Sequence, residues 1–172
     1  MAQPFCTIWS TIVGKKMKKS KLVLFVSVLS VALFSGCSTV PLEPKEVADQ
    51  AKSFNTPSEG NAGLYVYRDS FVGQALKKDI MIDDKCLGET ANGIFFYQSV
   101  EGDKEHKLST ESEFSANEIS LKTNSGKNYY VRQYIKMGVF VGGAGLEIID
   151  EKEAQQVISK LDMAKKGICN PK

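Results

Sequence analysis

The fold is first decided at Gly63-Leu64-Tyr65-Val66-Tyr67-Arg68, a run of aromatic and β-branched residues that favours a β-strand. Similar runs recur about every 8–15 residues after it, and turn-forming residues separate them. This spacing predicts a mainly β fold, namely a small antiparallel β-sandwich of immunoglobulin-like or prealbumin-like type. The predicted strands are residues 64–68, 79–83, 86–89, 94–100, 104–110, 118–123, 128–137 and 146–149.

The end of the chain has a different periodicity. Asp150 followed by Glu153 has the spacing of a helix-capping box. Apolar residues then recur at helical spacing, at Ala154, Val157, Ile158 and Leu161. We therefore predict a C-terminal helix over residues 151–164, which Gly167 would end.

The region before the strands resembles a bacterial lipoprotein leader. A lysine cluster precedes an apolar run at residues 22–34, which is short for a membrane-spanning helix of about 20 residues. The run closes on Leu33-Phe34-Ser35-Gly36-Cys37, which resembles the lipobox with Phe34 where leucine is usual. The resemblance implies cleavage before Cys37 and acylation of Cys37. An uncleaved membrane anchor remains the alternative.

These features divide the chain into three parts. Residues 1–36 are predicted to be a cleaved signal region, whose true start would be Met17, and residues 37–62 a lipidated tether. A short helix is predicted near residues 45–52 of the tether; it could lift the domain off the membrane or pack on the domain edge. The sandwich domain would be residues 63–172. Ser38 after the lipobox favours the outer membrane, with the domain facing the periplasm.

Removing the leader reverses the net charge. The chain carries +2 as a precursor, but five of its basic residues precede Cys37 and no acidic residue does. The remainder has 17 basic and 20 acidic side chains, a net charge of −3. The basic pI therefore gives no argument for nucleic-acid binding.

Cys86 and Cys169 are left as a pair in an oxidising compartment, so a disulfide between them is the simplest expectation. Two free thiols, or a pair too far apart to bond, are the alternatives. Two cysteines and one histidine do not complete a structural zinc shell, so no metal site is expected.

The most unusual stretch is Val139-Phe140-Val141-Gly142-Gly143-Ala144-Gly145, which is apolar and glycine-rich. It could be a buried, bulged strand or hairpin. Alternatively, Phe140, Val141, Gly142 and Gly143 could form a surface that docks a partner or ligand. Arg68 is a further candidate: it could clamp an anionic ligand, or pair with an acidic neighbour and order the loop over residues 70–78.

No residue set indicates catalysis. His106 is the only histidine, and we expect it to be a half-buried strand residue. The aromatic residues could stack on sugars but are more often core residues in strands. These are Phe95, Phe96, Tyr97, Tyr129, Tyr130 and Tyr134. We expect no catalytic residues and no cofactor.

Five segments form a recognisable set: residues 63–68, Phe71-Val72-Gly73, the hairpin over residues 80–88, Gly93 before the aromatic strand, and residues 102–106. Together they resemble the bacterial lipoprotein family called domain of unknown function 2846. Asp83-Asp84-Lys85 stands where the family has an Asn-Gly turn, and Glu101-Gly102 replaces Pro-Gly. The resemblance implies an all-β envelope domain over roughly residues 60–150 and no known reaction.

The expected function is that of a membrane-anchored envelope lipoprotein that binds a protein partner or has a structural role. It would be held by acyl chains on Cys37. A small-ligand or glycan-binding module is the alternative, and an enzyme is the third possibility.

Overall fold

The computed structural model describes residues 40–111, 117–137 and 142–170. These residues form two β-sheets and two helices, which confirms the mainly β sandwich. The elements in chain order are α1 (Lys45–Ala51), β1 (Asn61–Arg68), β2 (Lys78–Ile82), β3 (Lys85–Thr90), β4 (Ile94–Glu101), β5 (Glu105–Thr110), β6 (Asn117–Lys122), β7 (Asn128–Lys136), β8 (Gly143–Ile148), α2 (Glu151–Ile158) and β9 (Asp162–Met163).

One sheet has five strands in the order β8-β7-β1-β4-β9, and the other has four in the order β3-β2-β5-β6. Most neighbouring strands are antiparallel, but the β1–β7 and β4–β9 pairs are parallel. A hairpin joins consecutive strands, so hairpin patterns in the sequence do not predict these two pairs, whose strands are far apart in the chain.

Strand β1 is buried on both faces and joins the two cores of the molecule. Leu64 and Val66 belong to the core between the sheets. Tyr65 and Tyr67 point the other way, into a second core that also contains Ala48 of α1 and residues of α2. Because side chains alternate along a strand, one continuous apolar run serves both cores.

The C-terminal helix is shorter than predicted. It spans Glu151–Ile158 instead of residues 151–164, and the chain then forms β9. The prediction was wrong because Met163 and Ala164 are buried in different cores, which requires the period of two of a strand rather than helical spacing. The Asp150 side chain does cap the helix, accepting a hydrogen bond from the Lys152 N–H at 2.9 Å.

The turn between β2 and β3 lies one residue earlier than predicted. Asp83 and Asp84 form it, with φ angles of 49° and 61°. Positive φ at both central residues is the geometry of a two-residue hairpin turn, and aspartate is among the residues that tolerate it.

The segment before β1 packs on the domain rather than extending from it. Val40 is buried in the core between the sheets, and Leu42 forms a β-bridge with Ala164. The Tyr65 hydroxyl donates a hydrogen bond to the Ala51 carbonyl at 2.8 Å, which holds the end of α1. Of the two alternatives for residues 45–52, the structure has the helix on the domain edge. Within the described ranges, neither helix has the length and apolar character needed to cross a bilayer.

Candidate functional site

One end of the sandwich presents apolar side chains to solvent. Phe71 is 91% exposed and Met137 is 88% exposed. Two further residues of the β1–β2 loop, Val72 and Leu76, are also exposed. We call Phe71, Val72, Leu76 and Met137 the apolar end. Exposed apolar residues grouped in this way are typical of a binding surface, because burying them in a complex removes them from water.

The β1–β2 loop lies against the end of β7 and against Gly142, the residue before β8. A side-chain position at Gly73 would lie 2.8 Å from Ile135, and one at Gly142 would lie 2.5 Å from Leu76. A larger residue at either position would have to displace its neighbour. These approaches place the β1–β2 loop close to the end of β7, which Met137 follows.

Arg68 orders the β1–β2 loop from inside the protein. The residue is 0% exposed, and its guanidinium donates to the Leu76 carbonyl at 2.7 Å and to the Gly73 carbonyl. Burial lowers the pKa of Arg68 from its usual value. Among the described residues, no carboxylate forms an ion pair with it. Arg68 is therefore not part of an exposed surface, and the expected acidic partner is replaced by two carbonyl groups.

The other predicted surface residues have mixed positions. Gly143 is buried and begins β8, and Gly142 is half-buried beside Leu76. These two glycines therefore shape the apolar end from beneath rather than forming its surface. Phe140 and Val141 lie outside the described residues.

A cleft of about 370 Å³ opens beside the β2–β3 hairpin. His106 is buried in its wall, and its two ring nitrogens lie 2.7 Å from the Asp83 carboxylate and 2.9 Å from the Glu101 carbonyl. Both partners are hydrogen-bond acceptors, so both nitrogens are engaged. The cleft is lined by Ile82, Asp83, Lys85, Cys86, Leu87, Gln98, Val100, Glu101, Lys104 and His106.

Two groups hold the Asp83 carboxylate in place. Burial acts to raise the pKa of Asp83, but the hydrogen bonds from His106 and from the Lys107 N–H outweigh it, and the pKa is lowered. His106 thus fixes a hairpin turn. Both of its ring nitrogens already face oxygen atoms of the protein.

Cys86 and Cys169 form a disulfide, as the cysteine count predicts, with their Cα atoms 6.1 Å apart. The tail is also hydrogen-bonded along β3: Gly167 donates to Leu87 and Glu89 donates to Ile168, at 2.8 and 2.7 Å. The tail therefore crosses from the five-stranded sheet to the four-stranded sheet and closes one edge of the sandwich.

Two of the predicted aromatic residues, Tyr97 and Tyr130, pack around Tyr65 in a cluster rather than forming an open platform. The Tyr65 ring lies 4.8 Å from Tyr97, 5.1 Å from Tyr130 and 5.4 Å from Phe54, measured between centroids. Burial raises the pKa of Tyr65, and it raises that of Tyr130 to about 12. Phe95 is fully buried. Rings that already stack on one another leave little surface for a sugar.

Metal ligands do not come together in the part of the chain that the structure describes. No group of three or more His, Cys, Asp or Glu side chains there could hold an ion. The residues that sequence reasoning missed are Phe71 and Met137. Their one signal was an apolar residue in an otherwise polar loop or at a strand end, and that signal does not say which way the side chain points.

Comparison with known proteins gives two matches. Residues 58–144 match the family described as "Protein of unknown function (DUF2846)". The chain is also 56% identical, over 139 residues, to an uncharacterized protein of Haemophilus influenzae. That alignment covers 80% of this chain and 82% of the relative.

Proposed function

The chain belongs to the family described as protein of unknown function (DUF2846), and from that premise we propose that it is a membrane-anchored envelope lipoprotein whose β domain binds a protein partner. The single observation that carries the partner-binding role is the apolar end. Phe71 and Met137 are among the most water-exposed large apolar side chains of the described residues, and the β1–β2 loop that carries Phe71 approaches the end of β7, which Met137 follows.

The apolar end is preorganised. Arg68 bonds the Leu76 and Gly73 carbonyls from beneath, and the Ser70 N–H donates to the Asn92 side chain at 2.8 Å. A loop fixed in this way exposes its apolar side chains without being disordered. A partner that binds it then has little ordering entropy to overcome, which favours affinity.

The position of Val40, where the described chain begins, favours a protein over the lipid surface as the partner of the apolar end. Met137 follows β7, whereas Val40 lies beyond β9, because Leu42 pairs with Ala164. Strand spacing and rise put Met137 and Val40 roughly 30 Å apart. Cys37 can be at most about 10 Å from Val40, because only two residues, Ser38 and Thr39, lie between them. An acylated Cys37 would therefore keep the apolar end away from the bilayer that it anchors to.

The leader supports the anchoring. The lysine cluster, the short apolar run and the Ser-Gly-Cys ending are the elements of a lipoprotein signal, although Cys37 lies outside the described residues. Three acyl chains on a mature N-terminus exceed the two signals needed for stable attachment. In the same proposal, the anchor lies in the inner leaflet of the outer membrane and the domain lies in the periplasm.

Site-specific photo-crosslinking in cells tests the partner role. A photoreactive residue at Phe71 should capture one reproducible protein, whereas the same residue at Ile148, an exposed apolar position at the other end of β8, should not. The purified partner should then bind the Phe71→Ala variant at least about tenfold more weakly, as expected when a central apolar anchor is lost. Capture of phospholipid at position 71, or equal capture at both positions, would contradict the proposal.

The anchoring has its own test. The Cys37→Ser variant should be released from membranes by salt and carbonate washing, and the unchanged protein should not. Retention of the variant would show that something other than acylation holds it.

Small-ligand binding in the cleft beside the hairpin is the second candidate. The observation that favours it is a cleft of about 370 Å³ with an apolar floor at Ile82, Leu87 and Val100 and charged residues at its rim. Catalysis is not part of this candidate, because His106 is engaged on both sides. A Leu87→Trp variant, which fills the cleft, should abolish ligand-induced thermal stabilisation if this candidate is correct.

A further inference from the structure

A second distinctive surface lies beside the point where the described chain begins. The Lys165 N–H donates a hydrogen bond to the Pro41 carbonyl at 2.8 Å, next to the Leu42–Ala164 bridge. Two lysines are exposed here, together with two aliphatic residues that are 46% and 47% exposed. We call this set the basic strip: Leu42, Lys165, Lys166 and Ile168.

The basic strip is held rigidly on both sides. On one side, the backbone at Lys165 pairs with Pro41. On the other, Ile168 accepts a hydrogen bond from the Glu89 N–H, and the next residue, Cys169, is bonded to Cys86. Binding to this surface would therefore require little ordering of the protein.

The two lysine side chains of the basic strip are exposed to solvent. The Lys166 ammonium contacts the neutral Gln98 side chain at 3.0 Å. Within the ranges that the structure describes, neither lysine pairs with a carboxylate. Two exposed cations beside two exposed aliphatic side chains match the interface of an anionic bilayer, where headgroups meet acyl chains.

The distance from the basic strip to Cys37 indicates that the membrane is the partner that the strip binds. Three residues lie between Cys37 and Pro41, which gives a reach of at most about 14 Å. The strip is thus beside the anchor, whereas the apolar end is roughly 30 Å from Val40. If Cys37 is acylated, the lysines lie close to the headgroup layer.

We propose that the basic strip binds the anionic headgroup surface of the membrane that holds Cys37, and that this contact orients the domain with its apolar end away from the bilayer. The inference rests on the proposed lipid anchoring. Each lysine near an anionic surface strengthens the contact about fivefold at moderate ionic strength. High salt weakens it, because the charges are exposed to solvent.

Tryptophan fluorescence of the acylated protein in vesicles tests this. The chain has one tryptophan, Trp9, which precedes Cys37 and is removed with the predicted leader. A single tryptophan can therefore be placed by the substitution Ile168→Trp, or by Phe71→Trp as the matched control at the other end. The vesicles contain phosphatidylethanolamine with about 30% phosphatidylglycerol, a negative surface, and some lipids carry brominated acyl chains that quench nearby tryptophans.

The Ile168→Trp protein should be quenched in anionic vesicles, and less so in neutral phosphatidylcholine vesicles or at high salt. Adding Lys165→Gln and Lys166→Gln should remove most of the difference, whereas Lys152→Gln with Lys160→Gln, on and just after α2, should not. The Phe71→Trp protein should remain unquenched. Mass analysis under non-reducing conditions checks that the disulfide has formed in every variant.

The outcomes separate this inference from the anchoring on which it rests. Vesicle flotation reports anchoring. Protein that floats while the Ile168→Trp variant stays unquenched would overturn the headgroup contact alone. Quenching of the Phe71→Trp variant would overturn the orientation. Failure to float would overturn the anchoring itself, and the headgroup contact with it.

Discussion

The guanidinium of Arg68 lies wholly inside the protein and donates a 2.7 Å hydrogen bond to the carbonyl of Leu76, a residue of the surface it supports. A buried cation is costly unless its hydrogen bonds are satisfied. Here the backbone of the loop that carries Phe71 and Leu76 accepts hydrogen bonds from the two terminal nitrogens of the guanidinium, while the buried Nε atom has no hydrogen-bond partner among the described residues. The stability of the domain and the shape of its exposed end therefore depend on the same residue.

Replacing Arg68 by methionine should destabilise the domain by about 2–4 kcal/mol, because the Leu76 carbonyl loses the guanidinium donor and the Gly73 carbonyl keeps only the Leu76 N–H, while the side-chain volume is largely kept. Urea unfolding followed by circular dichroism gives the free energy. Limited proteolysis should also show faster cleavage within residues 69–77.

The matched control is Arg132→Gln. Arg132 is partly exposed and pairs with Glu147 across β7 and β8, so its loss should cost less than about 1 kcal/mol. Equal stability of the Arg68→Met protein and the unchanged protein would show that the loop does not depend on the buried guanidinium.

Removing the disulfide should destabilise the protein strongly. The bond joins residues 83 apart in sequence, and closing such a loop stabilises the folded state by about 4.5 kcal/mol in the chain-entropy description. The double variant Cys86→Ser, Cys169→Ser should unfold at lower urea concentration. The unchanged protein should show the same shift when a reducing agent is added, and the double variant should not respond to that agent. A shift caused by the agent in the double variant would point to an effect unrelated to this bond.

Local sequence patterns predicted the secondary structure correctly where the residues that contact each other are also close in the sequence. The alternation in Glu118-Ile119-Ser120-Leu121 predicts β6 to within one residue, because a strand with one buried face shows a period of two. The same reasoning failed where the contacting residues are distant in the sequence. Leu161 has helical spacing from Ile158, yet the residues after it leave the helix to pair with Ile94 and Phe95.

The candidate site was less predictable for the same physical reason. A charged side chain at a strand end, such as Arg68, ordinarily reaches water, and only the path of a later loop buries it. The exposure of Phe71 was hard to predict for the opposite reason. Its apolar character predicts burial, but the fixed loop turns the side chain outward. The direction of a loop side chain is decided by contacts that the local sequence does not contain.

An alkaline titration should separate the tyrosines. The chain has six, and burial raises the pKa of Tyr65, Tyr67 and Tyr130, the last to about 12. A raised pKa means that the neutral phenol is favoured in the folded state. Its contribution to stability is present below the ordinary value of 10.0 and is lost as pH rises toward the folded-state value.

Absorbance at a wavelength specific for phenolate should therefore show a fraction of the tyrosines ionising well above pH 10. The Tyr130→Phe variant should lose the part of that change near pH 12. If all tyrosines of the folded protein titrated together near the ordinary value, the buried aromatic cluster under α1 would be contradicted.

Acid should weaken the β2–β3 turn through Asp83. The folded-state pKa of Asp83 lies below its ordinary value of 3.8, because hydrogen bonds from His106 and the Lys107 N–H outweigh the effect of burial. A lowered pKa contributes stability above the unfolded value, and that contribution is lost as pH falls through the folded value. The free energy of unfolding should therefore fall below about pH 4, and it should fall less steeply in Asp83→Asn, which no longer titrates.

Asp84→Asn is the control for this experiment. Asp84 is the other residue of the turn, also with positive φ, and asparagine tolerates that conformation at both positions. The Asp84 carboxylate contacts the exposed Lys107 ammonium and not His106, so its variant should keep the steep acid dependence of the unchanged protein. Urea unfolding at several pH values between about 2.5 and 5 measures the three curves around the carboxylate range. Parallel curves for all three proteins would mean that the Asp83–His106 contact does not form in solution.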